Sequence, residues 1–160
     1  MQTNVQRAAK LLLEKKLTIA FAESATAGRL SSEFSVPDDA GKYLKGAIVC
    51  YDACLKEEML QVKKELIERY TPESAEVTVA ITEGIADQIS ADIHIGVTGL
   101  PSPGGSETPE KPVGTMFIHA IKNGQPLFTD RKIFSGSPES IILQTVDRAA
   151  ELLAQHLNRS

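Results

Sequence analysis

Val5, Ala8, Ala9, Leu12 and Leu13 recur at helical spacing, which predicts that the chain opens on an amphipathic helix. Leu17 to Ala22 is a short, unbroken apolar run and reads as a buried strand. Small and polar residues from Glu23 to Gly28 lead into a predicted helix through Leu30 to Phe34, and Pro37 to Gly41 reads as a loop. Gly46 to Tyr51 predicts a second buried strand, followed by a helix near Lys56 to Leu60. Thr71-Pro72 has the form of a helix start, with Thr as cap and Pro at the first helical position. Val77, Ile81, Ile85 and Ile89 then hold an i+4 stripe. Ile93 to Val97 predicts a further strand, ending in a loop from Thr98 to Pro112. Gly114 to Ile121 and Leu127 to Phe134 flank Asn123-Gly124, a hairpin signal. Ser137-Pro138 opens a last helix, striped by Ile141, Ile142, Thr145, Val146, Ala149, Leu152 and Leu153.

Helices and strands alternate and one antiparallel pair follows, a pattern that predicts an α/β fold with a mixed sheet and helices on its faces. No repeat, low-complexity tract or linker divides the chain, so a single domain over residues 1–160 is expected. The length of 160 residues is enough for a core without staples, and 42% hydrophobic with 24% charged residues is ordinary globular usage.

A net charge of −4 argues against nonspecific binding to nucleic acid or an acidic membrane surface. Three Tyr, five Phe and no Trp leave few platforms on which bases can stack. Cys50 and Cys54 lie four apart, which fits neither a disulfide framework nor a zinc knuckle, and reads as reduced thiols. His94, His119 and His156 are scattered singly, so no metal site is expected. Leu11 to Leu13 is too short for a signal-peptide core and no run approaches the ~20 residues of a membrane span, so a cytoplasmic location is expected.

Three segments predicted at strand ends carry candidate chemistry, where open α/β sheets place their ligands. In Ala22-Glu23-Ser24-Ala25-Thr26-Ala27-Gly28, a strand turns into a helix through small residues. Amides exposed at such a helix start can hold an anion, and a serine there is either a nucleophile beside an oxyanion pocket or a simple helix cap. In Tyr51-Asp52-Ala53-Cys54-Leu55-Lys56, a lysine entering a helix is either a solvated surface charge or, if desolvated, a neutral base for that serine. Thr98 to Ser106 is rich in Gly and Pro and is followed by Glu110 to Thr115. Its backbone can approach phosphate closely, though it matches neither a P-loop nor a dinucleotide fingerprint.

Together and in this order, the segments resemble the CinA C-terminal domain family of nicotinamide mononucleotide deamidases. Members of that family look like A-E-S-C-T-G-G, then Y-S-N-x-x-K, then G-I-A-G-P-x-G-G ahead of K-P-V-G-T; the matching stretches here are Ala22 to Gly28, Tyr51 to Lys56 and Gly99 to Thr115. The resemblance runs over almost the whole chain. It implies a three-layer α/β/α sandwich with a mixed, mostly parallel sheet and one antiparallel hairpin. It further implies hydrolysis of the carboxamide of nicotinamide mononucleotide to nicotinic acid mononucleotide and ammonia, by a homodimer with neither metal nor cofactor. Carried over residue by residue, Ser24 is the expected nucleophile, Lys56 its base and Tyr51 an assisting group, with Thr26, Gly28, Gly104 and Gly105 binding a small nucleotide substrate.

The chain departs from the family pattern at several places. Ala25 and Ala27 replace Cys and Gly, Asp52 and Ala53 replace Ser-Asn, and Pro101 and Ser102 replace Ala-Gly. Where the family reads D-R-x-x-V-R, Ser137 to Ile142 carries neither arginine, Pro138 and Ile142 standing in their places. If one of these holds the substrate phosphate, its loss removes a contact of ~1.5–3 kcal/mol. A second reading is therefore a pyridine-nucleotide binding or regulatory protein with little turnover, and a third is a partner-binding domain.

Overall fold

The computed structural model describes residues 1–159. Helix α1, Asn4–Lys15, begins at a capping box: the Thr3 hydroxyl accepts from the Gln6 amide at 3.1 Å, and the Gln6 side chain accepts from the Thr3 amide at 2.9 Å. The predicted strand follows as β1, Ile19–Glu23, all of it buried. It lies between β2, Leu44–Val49, and β3, Ile93–Gly99, and pairs parallel to both. Beyond β3 the order continues through β4, Thr115–Lys122, to β5, Gln125–Ile133, both joined antiparallel. The sheet order is thus β2-β1-β3-β4-β5. Four strands run one way and only β4 opposes them, so the C-terminal ends of β1, β2 and β3 share one edge.

Side chains alternate along β1 and feed two cores. Ile19 and Phe21 pack with α1, with α2 (Arg29–Phe34) and with α6 (Pro138–Asn158). Ala22 packs on the opposite face with residues of α3 (Ala53–Leu60), α4 (Lys64–Tyr70) and α5 (Ala75–Gln88). The result is the α/β/α sandwich expected of the sequence. No helix of the described residues is long and apolar enough to cross a membrane.

The local signals for the hairpin and the last helix hold. Asn123 and Gly124 both take positive φ, 50° and 76°, as a two-residue type I′ turn requires. Ser137 Oγ accepts from the Ser140 amide with Pro138 in the first turn. Other boundaries moved. Helix α4 was not foreseen, and α5 starts not at Thr71-Pro72 but after Ser74, whose hydroxyl accepts from the Val77 amide at 3.2 Å. Proline disfavours helical geometry in the residue before it, and Thr71 sits at φ 72° as the terminus of α4. Strand β2 ends at Val49, so Cys50 and Tyr51 lie just past it, not within it. Strand β3 pairs antiparallel with β4 across the long 100–114 connection, an additional antiparallel ladder beside the expected hairpin.

The layer beneath the site depends on a close helix crossing. A Cβ placed on Gly84 of α5 would lie 2.3 Å from the Leu60 carbonyl oxygen at the end of α3. Gly84→Ala must separate these helices, and overpacking of this kind costs ~1–3 kcal/mol. A lower urea midpoint at unchanged slope is the expected result; an unchanged midpoint would show that the crossing yields freely.

Candidate active site

Ladder hydrogen bonds carry the sheet one residue past β1 and β2. The Ser24 amide donates to Val97 O at 3.0 Å, and the Cys50 amide donates to Glu23 O at 2.8 Å. Ser24 and Cys50 therefore flank each other at the ends of neighbouring strands, which run about 4.8 Å apart. Lys56, one turn into α3, folds back onto this edge: Nζ donates to Cys50 O at 2.8 Å and lies 3.4 Å from Tyr51 O.

Lys56 is 1% exposed. Burial pushes its amine below the ordinary lysine range, against opposing contributions from the Cys50 thiol, Glu73 and Asp52. No carboxylate among the described residues forms an ion pair with it. The two carbonyl acceptors leave one further Nζ position, the third proton of an ammonium or the lone pair of a neutral amine, without a partner among the described residues. Lys111 makes a useful contrast. Its Nζ donates to Thr71 Oγ1 at 2.7 Å, Glu73 O at 2.7 Å and Ser106 Oγ at 2.8 Å, which uses all three protons of an ammonium. Burial pushes both lysines below the ordinary range, but Lys111 has an acceptor for each proton of an ammonium and Lys56 does not.

Ser24 is 7% exposed, and its Oγ makes no hydrogen bond to the described residues. Since no buried side-chain polar atom among them lacks a partner, this hydroxyl opens to solvent in the crevice. Lys56 Nζ thus reaches the strand end beside Ser24, and the two side chains are not hydrogen-bonded to each other. The amides of Ala25 and Thr26, next to Ser24, likewise make no hydrogen bond within the described residues.

The loop that presents Ser24 is built around Glu23, a residue to which the sequence pattern assigned no role. Its buried carboxylate accepts from Thr26 Oγ1 at 2.7 Å, the Leu30 amide at 2.7 Å, the Ser31 amide at 3.0 Å and Ser31 Oγ at 2.6 Å. The α2 amides expected to face a ligand anion are thus taken by an internal one. Thr26 is buried with its hydroxyl committed to Glu23, so its side chain holds the loop in shape. Gly28, at φ 96°, sits half-buried at the α2 start.

Tyr51 is 62% exposed at the rim, and only its main-chain carbonyl meets Lys56. Gly104 and Gly105 form the expected amide pair, but both donate at 2.9 Å to the two oxygens of Glu107. The Gly104 bond leads the causes that hold the Glu107 carboxyl below its usual range. Arg29, at the first turn of α2, pairs with Glu33 at 3.1 Å and Glu139 at 3.6 Å, so it bridges α2 to the start of α6. Cys50 and Cys54 are free thiols, and burial raises the Cys50 pKa. Among the described residues no group of three or more His, Cys, Asp or Glu side chains is placed to hold a metal ion. Clefts of about 770 Å³ between β5 and α6 and about 750 Å³ between α1, α2 and α6 are lined by none of Ser24, Tyr51 and Lys56. Chemistry, and not volume, marks the crevice at the strand ends.

A mixed sheet between two helical layers, with a serine just past one parallel strand and a buried lysine of α3 folded onto the end of the next, defines an α/β/α protein. Residues 1–157 match the family model for the CinA C-terminal domain, and the chain belongs to that family. It is 35% identical over 147 residues to a CinA-like protein of Dictyoglomus thermophilum, an alignment covering 92% of this chain and 35% of the relative. The chain thus spans about a third of the length of the curated relatives it matches. Among solved structures, a competence-damaged protein (CinA) superfamily protein from Klebsiella pneumoniae 700603 superposes with a TM-score of 0.92 at 27% identity, over 98% of this chain and 97% of that one. The corresponding superfamily protein from Escherichia coli gives 0.88 at 28% identity, over 95% and 87%.

Ala27 replaces a family glycine at a position where φ is 49°, the left-handed region that a side chain disfavours. Ala27→Gly is expected to relieve that strain and, after the entropy that glycine adds to the unfolded chain, to stabilise by about 0.5–1 kcal/mol. Thermal unfolding should show a rise of up to ~2–4 °C for a chain of this size. A fall in midpoint would show that the loop accommodates alanine without strain.

Proposed function

We propose that this chain hydrolyses the carboxamide of nicotinamide mononucleotide, or a close relative, to the carboxylate and ammonia. The observation that carries the reading is Lys56: a buried lysine held by two main-chain carbonyls, without a carboxylate ion pair, beside the one strand end that presents an open serine hydroxyl.

In the first step Ser24 Oγ attacks the carboxamide carbon while its proton passes to Lys56 Nζ. The carbonyl oxygen becomes an oxyanion facing the Ala25 and Thr26 amides. Collapse of the tetrahedral intermediate breaks the C–N bond, and the Lys56 ammonium returns the proton to the departing nitrogen, which leaves as ammonia. Water then attacks the Ser24 ester, gives a proton to Lys56, and the second collapse frees the acid and restores the serine hydroxyl. A pyridinium ring withdraws electrons from the amide carbon, which makes it susceptible to an activated hydroxyl. Ser24 and Lys56 need only close the gap between adjoining strand ends, and such pairs commonly tighten when substrate binds.

Purified protein supplied with nicotinamide mononucleotide should release ammonia. Ser24→Ala and Lys56→Met should each lower kcat by on the order of a thousandfold or more. The rate should climb with pH through the Lys56 pKa, because only the neutral amine accepts the serine proton. Undiminished ammonia release by Ser24→Ala would rule out this nucleophile.

A second reading, a nucleotide-binding protein with little turnover, is favoured by one observation: Lys56 Nζ donates to the Cys50 and Tyr51 carbonyls and makes no hydrogen bond to Ser24 Oγ. Calorimetric titration separates the two, since binding without ammonia release supports this reading and turnover abolished by Ser24→Ala rejects it.

A further inference from the structure

The turn between α4 and α5 carries a carboxylate that the proposed chemistry leaves unused. Glu73 accepts from Ser106 Oγ through Oε2 at 2.5 Å, and its main-chain carbonyl accepts from Lys111 Nζ at 2.7 Å. Lys111 also donates to Ser106 Oγ and to Thr71 Oγ1, so both limbs of the 100–114 loop are fastened to this one turn. The other carboxylate oxygen faces the loop backbone: a Cβ built on Gly105 would stand 3.2 Å from Glu73 Oε1, an approach that glycine leaves clear. The same carboxylate acts on Lys56, whose surrounding charges come from three segments: the Cys50 thiol after β2, Asp52 before α3, and Glu73 before α5. Glu23, at the end of β1, acts on Cys50 in turn. On its far side the cluster meets Glu76, Glu107 and Arg131 through Lys111.

Resting on the deamidase reading above, we propose that Glu73 is a positioning residue of the active site: it anchors the Gly104-Gly105 loop through Ser106 and Lys111, and presents the same carboxylate to Lys56. Substrate loop and base are then held by one shared group. Asp52 acts on Lys56 as well, but its side-chain hydrogen bond goes to the Cys54 amide at the start of α3 and not to the loop. A purely structural latch would need the hydrogen bonds of Glu73 but not its charge, and this separates the two roles.

The test compares Glu73→Gln, which keeps the shape and an acceptor for Ser106, with Glu73→Asp and Ser106→Ala. Removing the negative charge makes the Lys56 ammonium easier to deprotonate, so the ascending limb of kcat/KM against pH should move to lower pH in Glu73→Gln. The expected shift is on the order of one unit or more. Glu73→Asp should leave the limb in place, and Ser106→Ala should raise KM several-fold without moving it. The same titration is read without turnover, by following the Lys56 Cε and Nζ NMR shifts against pH in selectively labelled protein. If no deamidase activity exists, that titration still reports on Glu73: a Lys56 profile moved to lower pH in Glu73→Gln sustains the pairing while the deamidase reading falls. An unmoved Lys56 profile in a folded Glu73→Gln protein overturns the proposal.

Discussion

The site depends on one electrostatic constraint: the Lys56 amine lies where water cannot solvate a charge. Burial, with no bonded carboxylate to offset it, favours the neutral form relative to a surface lysine, while the Cys50 and Tyr51 carbonyls accept its N–H bonds. Everything that places the amine there is fold-level structure. Strand β2 stops at Val49, Asp52 caps α3 through the Cys54 amide, and one helical turn brings Lys56 back over the strand end. The close α3–α5 crossing at Gly84 seals the layer beneath.

A second theme is the use of internal carboxylates where ligand anions were expected. Glu23 takes the first amides of α2, and Glu107 takes those of Gly104 and Gly105. The first substitution is structural: four donors converge on a buried carboxylate and fix the loop that aims Ser24. The second is superficial, since Glu107 is exposed and a stronger anion can compete for its donors. Pro138 and Ile142 supply no charge at the start of α6, and Arg29 is paired to Glu33 and Glu139.

Features set by neighbours in sequence were legible before the fold was known. Asn123-Gly124 and Ser137-Pro138 dictate their own backbone geometry, and the long stripes of α1, α5 and α6 reveal their buried faces. Thr71-Pro72 misled because a proline that can open a helix also ends the one before it, and the short α4 offered no repeating stripe. Ser24 and Lys56 were visible through motif order, yet the burial of Lys56 was not, since it depends on packing of α3 against α5. Glu73 was invisible for the same reason: its partners Ser106 and Lys111 lie 33 and 38 residues away. Glu23 stood in plain view within the first motif, but the convergence of Thr26, Leu30 and Ser31 on it appears only after the chain turns.

The most direct measurement is an NMR titration of the Lys56 side chain, following its Cε and Nζ shifts in selectively labelled protein and assigning them with Lys56→Met. A buried base predicts a midpoint clearly below that of the surface lysines in the same sample. A Lys56 that titrates together with those surface residues, or above them, would contradict the account.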